Sequence, residues 1–181
     1  MRDVMVDIET LGVKPWSVII AIGAVTFDPY SGEIGSKFYM NVDPISCEEV
    51  GLTMDKNIVE WWGHPDRAEA WAQTQVDPFP IQGALKALTA WFEKNGMIPN
   101  GRVWGHGSVF DVPILETAYS FCKDRAPWHF TNVRDTRTVF DLAGVDFRSF
   151  PKVDTHHNAL DDSITQVNAV ARAYDILGVK K

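Results

Sequence analysis

Residues 4–9 of the chain read Val-Met-Val-Asp-Ile-Glu, a short apolar run that ends in two acids. Successive side chains of a β-strand point to opposite faces of the sheet, so a strand here places Asp7 and Glu9 on one face and Ile8 on the other. Neighbouring carboxylates repel each other unless a cation lies between them, and Mg²⁺ or Mn²⁺ prefers such oxygen ligands. The alternative is a strand that ends in solvent with two exposed acids. Spacing alone leaves both interpretations open.

The rest of the chain extends this strand into an α/β pattern. Residues 17–28 and 37–42 are further strand-like segments and predict an antiparallel meander with the first. Helices and short strands then alternate, which favours a mixed sheet flanked by helices. The later predicted strands span 102–105 and 132–134, and the predicted helices span 55–62, 66–73, 81–95, 109–123, 136–143 and 158–177, the last closed by Gly178.

Length and composition are those of one folded domain. The 181 residues are 45% hydrophobic and 23% charged, which excludes a disordered chain. No linker or repeat interrupts the sequence, so we expect one domain over residues 1–181. No apolar run approaches the roughly 20 residues that cross a bilayer, and a secretory signal is absent, so we expect a cytoplasmic protein without a membrane partner. The net charge of −7 argues against a broad cationic surface for duplex DNA.

A second acid of interest, Asp111, follows the predicted strand 102–105 and opens a helix. Ser108 lies three residues before it, which is the spacing of a capping box, and an acid in the first turn suits the helix dipole. Capping alone therefore explains Asp111. Gly105 and Gly107 in the same turn add a second reading, because they would let a substrate backbone approach closely.

The third group is His157 with the acids Asp161 and Asp162 at the start of the last helix. Helical phase separates the two acids, because one heads a polar line expected to face water and the other a line expected to pack on the domain. These lines are Thr165, Asn168 and Arg172 for Asp161, and Gln166, Ala169, Ala173 and Ile176 for Asp162. A carboxylate at the head of a buried line needs a partner, so Asp162 is the candidate metal ligand. His157 is the candidate base near neutral pH, whereas His156 is expected to be exposed.

Together these groups resemble the three motifs of the DEDDh 3′–5′ exonucleases. The segments DIETLG (7–12), WGHGSVFDVPIL (104–115), VRDTRTVFDLAG (133–144) and HNALDD (157–162) are most similar to the small phage and bacterial DexA-like branch. The resemblance runs from the first strand to the last helix in the family's motif order. It implies an RNase H-like α/β fold, a five-stranded mixed sheet flanked by helices. His106-Gly107 stands in a turn where the family often has Asn.

The resemblance also implies a reaction. Asp7, Glu9, Asp111 and Asp162 would hold two divalent ions, Mg²⁺ or Mn²⁺, and His157 would deprotonate the attacking water. The enzyme would release nucleoside 5′-monophosphates from the 3′ ends of single-stranded DNA or RNA. The resemblance does not decide between DNA and RNA as the preferred substrate. It also leaves the oligomeric state open, and a homodimer is one of the alternatives.

The resemblance assigns the 3′ end of the substrate to three residues of the first motif, which are Thr10, Leu11 and Gly12. Leu11 would lie against the last bases, and Phe110 would either touch a base or belong to the core. One of the adjacent Trp61 and Trp62 is expected in the core, and the other is expected to be exposed near the site or at an interface. The least acidic stretch, residues 123–152, contains Arg134, Arg137 and Arg148 and is the expected contact with the nucleic-acid backbone.

Two rival functions remain at this point. One is a nuclease of the oligoribonuclease type, which acts on short oligonucleotides. The other is a catalytically silent nucleic-acid-binding module that keeps the fold. The intact set of four acids and one histidine argues against the silent module, because such a module gains nothing from the repulsion among the acids.

Overall fold

The strand that contains residues 4–9 lies at the centre of a five-stranded sheet. The structure is a computed structural model that describes residues 1–153 and 157–181. The strands are β1 Asp3–Thr10, β2 Ile19–Phe27, β3 Ile34–Asn41, β4 Arg102–Gly105 and β5 Val133–Asp135. Their order is β3-β2-β1-β4-β5; β2 and β3 run antiparallel to their neighbours, and β4 and β5 continue parallel to β1. The predicted five-stranded mixed sheet is confirmed.

Helices cover both faces of this sheet. They are α1 Pro44–Glu49, α2 Lys56–Trp62, α3 Ala68–Thr74, α4 Ile81–Lys94, α5 Asp111–Phe121, α6 Thr136–Ala143 and α7 Ala159–Leu177. Helix α1 is absent from the sequence prediction; its start is fixed by Asp43, whose side chain accepts a hydrogen bond from the Ile45 N–H, and by Pro44 in the first turn. Gly178 ends α7 in the left-handed conformation, as predicted.

Strand β1 divides the interior into two hydrophobic cores. Val6 and Ile8 pack into the core that α4 and α5 cover, whereas Met5 packs on the opposite face with Val167 and Val170 of α7. Asp7 and Glu9 follow Met5 in the alternation of the strand. They therefore lie on the α7 face, and the alternation predicted from the sequence is confirmed.

Helix α7 begins directly on the sheet because β2 has a glycine beneath it. Gly23 pairs with Asp7 across β1 and β2. A Cβ atom at Gly23 would lie 2.3 Å from the backbone carbon and oxygen of Ala159, the first residue of α7. No other residue type permits this approach, so Gly23 sets the distance between the first turn of α7 and the acids of β1.

Two residues of α7 differ from their predicted environments. Thr165 is buried, although its line was expected to face water, and the Val153 N–H donates to its Oγ1 at 3.0 Å. Ile176 was expected to pack, but it is 48% exposed in the last turn. His156 lies outside the described residues.

Within the described chain, no helix is both long and apolar enough to cross a membrane.

Candidate active site

A cavity of about 330 Å³ at the carboxyl end of β1 collects the predicted acids. We call it the carboxylate cavity; it is lined by Asp7, Ile8, Glu9, His106, Phe110, Asp111, Arg137, His157 and Asp162. The acids come from three separate elements, which are β1, the first turn of α5 and the first turn of α7. The structure thus brings together all five residues that the sequence assigned to catalysis.

Asp7 is repelled by all three of the other acids of the cavity. Burial raises its pKa well above the ordinary value, and repulsion from Asp111, Glu9 and Asp162 raises it further. Gln166 opposes this shift, because its Nε2 donates a hydrogen bond of 2.7 Å to Asp7 Oδ1. This role of Gln166 was not predicted from the sequence. Its position one helical turn after Asp162, in the same buried line, is the signal that could have found it.

Glu9 is also held away from water. Burial raises its pKa to about 8, with further contributions from the negative charges of Asp162 and Asp111. Burial destabilises the ionised form of this carboxylate in the metal-free protein. A cation beside Glu9 would therefore stabilise the ionised form strongly. The prediction of exposed acids at the end of the strand is therefore excluded for Glu9.

Asp111 serves the site rather than the helix cap. The residue before α5, Phe110, makes no side-chain capping bond, and the Ser108 capping box is not formed. Instead the Asp111 carboxylate accepts hydrogen bonds from the Ile8 N–H at 3.3 Å and the His106 N–H at 2.7 Å. The pairing of β1 with β4 ends two residues before Asp7, which leaves the Ile8 N–H to this carboxylate. Burial outweighs these bonds and raises the pKa of Asp111 to about 6.

His157 and Asp162 approach Glu9 from the start of α7. One ligand atom from each of the three residues lies within 4.8 Å of the others, close enough for a shared cation. Asn158 fixes this turn, because its Oδ1 accepts from the Leu160 and Asp161 N–H groups.

The backbone of His157 is itself unusual, since its φ of 65° lies in the left-handed region. Non-glycine residues in that region are uncommon and cluster at functional sites. The imidazole packs edge-on against Trp61 and Trp62, with ring centroids 5.0 and 6.0 Å away. These contacts hold the ring on the side of the cavity where the two tryptophans lie.

A second, more apolar cavity of about 210 Å³ adjoins the first. We call it the apolar cavity; it is lined by Ile8, Glu9, Thr10, Gly12, Val13, Ile58, Trp61, Trp62 and Phe110. Phe110 lines both cavities and also packs on the core, so its place in the core is confirmed, and its contact with a base stays a prediction. Leu11 does not line either cavity: it is 3% exposed and packs in the core, contrary to its expected place against the bases.

The two adjacent tryptophans divide as predicted between the core and the site. Trp62 is 3% exposed, and its Nε1 donates to the Thr10 carbonyl at 2.9 Å. Trp61 is 37% exposed and carries the Arg67 guanidinium 3.8 Å above its ring centroid. One face of Trp61 is therefore covered by a cation, and its indole forms part of the wall of the apolar cavity.

Asp135 caps the start of α6. Its carboxylate accepts from the Arg137 and Thr138 N–H groups at the start of α6. It also accepts from the Gly107 N–H at 3.1 Å, which ties the turn after β4 to α6.

Without divalent cations, the protein is expected to lose stability as the pH rises from about 4.5 to about 8. Glu9 has a pKa of about 8 when folded against 4.5 in its ordinary state, so the folded protein binds more protons than the unfolded chain in this range. The free energy of unfolding then falls with rising pH. Thermal melts in EDTA test this, and Glu9→Gln should raise the Tm at pH 8 by about 5 °C. The control variant Glu49→Gln, which changes an exposed acid, should leave the Tm at pH 8 unchanged. An equal Tm for both variants would contradict the prediction.

Comparisons with solved structures show that other proteins share this fold. The nuclease domain of 3′hExo, a DEDDh family member bound to rAMP, has a TM-score of 0.59 at 18% identity, covering 96% of this chain and 91% of that one. Exonuclease X in complex with 5′ overhanging duplex DNA gives 0.56 at 13% identity, covering 98% and 94%. E. coli Exonuclease I in complex with a dA16 oligonucleotide gives 0.61 at 16% identity, covering 97% of this chain and 42% of that one.

These likenesses show the shared RNase H-like fold, as the DEDDh resemblance implies; a closer relation to the DexA-like branch stays a prediction. No curated protein is significantly similar in sequence. The sequence matches the 3′-5′ exoribonuclease Rv2179c-like domain over residues 2–174, which is nearly the whole chain. The protein therefore belongs to the Rv2179c-like 3′-5′ exoribonuclease domain family and is a 3′–5′ exonuclease.

Proposed function

We propose that the protein removes nucleoside 5′-monophosphates from the 3′ ends of single-stranded nucleic acid in a reaction that needs divalent metal, with RNA as the preferred substrate. The observation that carries the proposal is the convergence of four acids and His157 on one cavity, beside an apolar cavity. The burial of these acids and the repulsion among them both destabilise the fold when no cation is bound. Such an arrangement is typical of functional sites.

The donor groups suit hard divalent cations. Asp7, Glu9, Asp111 and Asp162 offer carboxylate oxygens, the ligands that Mg²⁺ and Mn²⁺ prefer, and the raised pKa values of the first three return toward normal beside a cation. We infer that these four residues hold two such ions. When bound, the ions supply positive charge for a phosphodiester group and lower the pKa of water.

His157 is proposed to take the proton from the attacking water. Its imidazole lies beside the acids, and its edge contacts with Trp61 and Trp62 fix the ring orientation. Histidine is suited to proton transfer near neutral pH, and a positioned general base contributes roughly 10²–10⁴-fold to a rate.

The apolar cavity is proposed to hold the 3′-terminal nucleoside. Its volume of about 210 Å³ and its aromatic walls suit one nucleobase. Thr10 and Gly12 also line this cavity. The Thr10 Oγ1 donates to the Gly12 carbonyl at 2.6 Å and fixes the backbone of the turn. We infer that this turn contacts the terminal sugar, while Phe110 separates the base from the acids.

The preference for RNA is supported by the family, which is described as a 3′-5′ exoribonuclease domain. The structural neighbours include a complex with rAMP and complexes with DNA, so the fold itself accepts both sugars. The oligoribonuclease type of activity is the alternative, and it differs in the preferred substrate length.

The deciding experiment compares three 5′-labelled substrates with Mg²⁺, with Mn²⁺ and with EDTA: a single-stranded RNA, the DNA of the same sequence, and an RNA dinucleotide. We expect stepwise shortening from the 3′ end, release of 5′-monophosphates, faster turnover of RNA and no reaction in EDTA. Products that carry a 3′-phosphate, or hydrolysis that persists in EDTA, would contradict the proposal. A kcat/KM for the dinucleotide more than about tenfold above that for the long RNA would favour the alternative.

A further inference from the structure

A third cavity, of about 400 Å³, adjoins the carboxylate cavity, and neither Trp61 nor Trp62 lines it. We call it the basic groove; it is lined by His106, Arg137, Phe140, Asp141, Val145, Asp146, Phe147 and Arg148. His106 and Arg137 line both it and the carboxylate cavity, so the two spaces are continuous. The basic groove and the apolar cavity share no lining residue.

The floor of the basic groove is a packed aromatic cluster. The Phe147 ring lies 4.6 Å from the His106 ring and 5.2 Å from the Phe140 ring, the latter nearly parallel. His106 is fixed in turn by a hydrogen bond of 2.8 Å between its Nδ1 and Thr136 Oγ1. Such a floor is rigid, because each ring is held by its neighbours and by α6.

Three cations surround this floor in a chain whose net charge is −7. Arg137 stands at the junction with the carboxylate cavity, Arg148 lines the groove, and the Lys152 Nζ lies 4.0 Å above the Phe147 ring. Among residues 1–153 and 157–181, none of these three side chains forms an ion pair. Of the two acids in the groove, Asp146 accepts a hydrogen bond from the Arg148 N–H and so belongs to the local turn.

Resting on the proposed function, we propose that the basic groove binds the sugar–phosphate backbone on the 5′ side of the scissile bond, with Arg137 at the first phosphate and Arg148 and Lys152 at the next ones. Among the described residues, no cationic side chain lines the apolar cavity, which has room for one base. A strand whose end lies there therefore leaves the carboxylate cavity on the other side. The groove lies on that side and offers cations to phosphate oxygens.

Another groove with cations offers a less suitable route. It is larger, at about 630 Å³, and is lined by Lys123 and Arg125 among others. It shares no residue with the carboxylate cavity, so a strand lying there is not guided toward the acids.

The test removes the two outer cations in the double variant Arg148→Ala/Lys152→Ala. Both side chains are exposed, so folding should be preserved. Two substrates are compared: a single-stranded RNA, which occupies the groove, and the p-nitrophenyl ester of thymidine 5′-monophosphate, which has no nucleotide beyond the scissile bond. We expect the ratio of kcat/KM for RNA to kcat/KM for the ester to fall by about tenfold or more. The dependence of log KM for RNA on log salt should weaken by about 1.4, the loss expected for two phosphate contacts on a single strand.

The matched control is Lys86→Ala/Lys94→Ala, which removes two exposed lysines of α4 and changes the net charge equally. Its ratio should stay within about twofold of the wild type. An unchanged ratio in the groove variant, or an equal fall in both double variants, would overturn the inference.

Failure of the proposed function is recognised separately. A wild-type protein that hydrolyses neither substrate would contradict the nuclease site. The groove is then still decided by fluorescence anisotropy of labelled single-stranded RNA in EDTA. Weaker binding by the groove variant than by the α4 control supports the groove, and equal binding overturns it.

Discussion

Replacing Asp162 by Asn is expected to lower 3′–5′ hydrolysis by about a thousandfold or more, whereas Asp161→Asn should change it by no more than about threefold. The two acids are adjacent in the first turn of α7 and share the charge, the helix dipole and the local backbone. Only Asp162 lines the carboxylate cavity, with an oxygen close to Glu9 and His157. Loss of a ligand that helps hold the cations removes several kcal/mol of charge stabilisation, and each 1.4 kcal/mol is a factor of about ten in rate.

Calorimetric titration with Mn²⁺ gives this comparison a readout independent of turnover. Asp162→Asn should bind Mn²⁺ weakly, and Asp161→Asn should bind it as the wild type does. Thermal melts check that both variants fold. Equal activity and equal Mn²⁺ affinity in the two variants would show that the wrong acid has been assigned.

Replacing His157 is expected to lower kcat by roughly 10²–10⁴-fold while Mn²⁺ affinity is retained, because the residue is proposed to move a proton rather than to hold the cations. His157→Ala is the direct variant. His157→Asn is its partner, since Asn tolerates the left-handed backbone, with φ of 65°, better than Ala does. A loss of activity common to both variants is then not an effect of backbone strain.

The control for this prediction is His129→Ala, an exposed histidine outside the three cavities next to the acids, which should behave as the wild type. Single-turnover rates at saturating Mn²⁺ and calorimetric Mn²⁺ affinity are measured for all variants. If Mn²⁺ affinity falls together with turnover, His157 is a ligand rather than the base. Its distance from the ligand atoms of Glu9 and Asp162 makes that outcome a real test.

Membership of an exonuclease family and the chemistry of the site support each other here through separate observations. The family match spans residues 2–174 and does not depend on any side-chain position. The burial of Asp7 and the raised pKa of Glu9 depend only on the fold. A silent binding module would still match the family, but it would not need buried acids with raised pKa values. The family match also places the chain among enzymes.

The sequence by itself determined features that depend on neighbours a few residues away. The alternation of β1 placed Asp7 and Glu9 on one face, because side-chain direction in a strand has a period of two. The helical phase of α7 separated Asp162 from Asp161 for the same kind of reason, and Asn158 marked the start of that helix. Both predictions concern residues within a single element.

Other features were decided only by the tertiary structure, because they depend on how elements that are distant in the chain meet. Asp111 serves the site because β4 stops pairing with β1 early and leaves the Ile8 N–H without a strand partner. Gly23 lets α7 start on the sheet, and no local pattern in β2 announces that contact. Leu11 is buried in the core although it lies in the first motif. In each case the deciding partner is distant in the chain, and burial or a hydrogen bond to it outweighs the local preference that the sequence reveals.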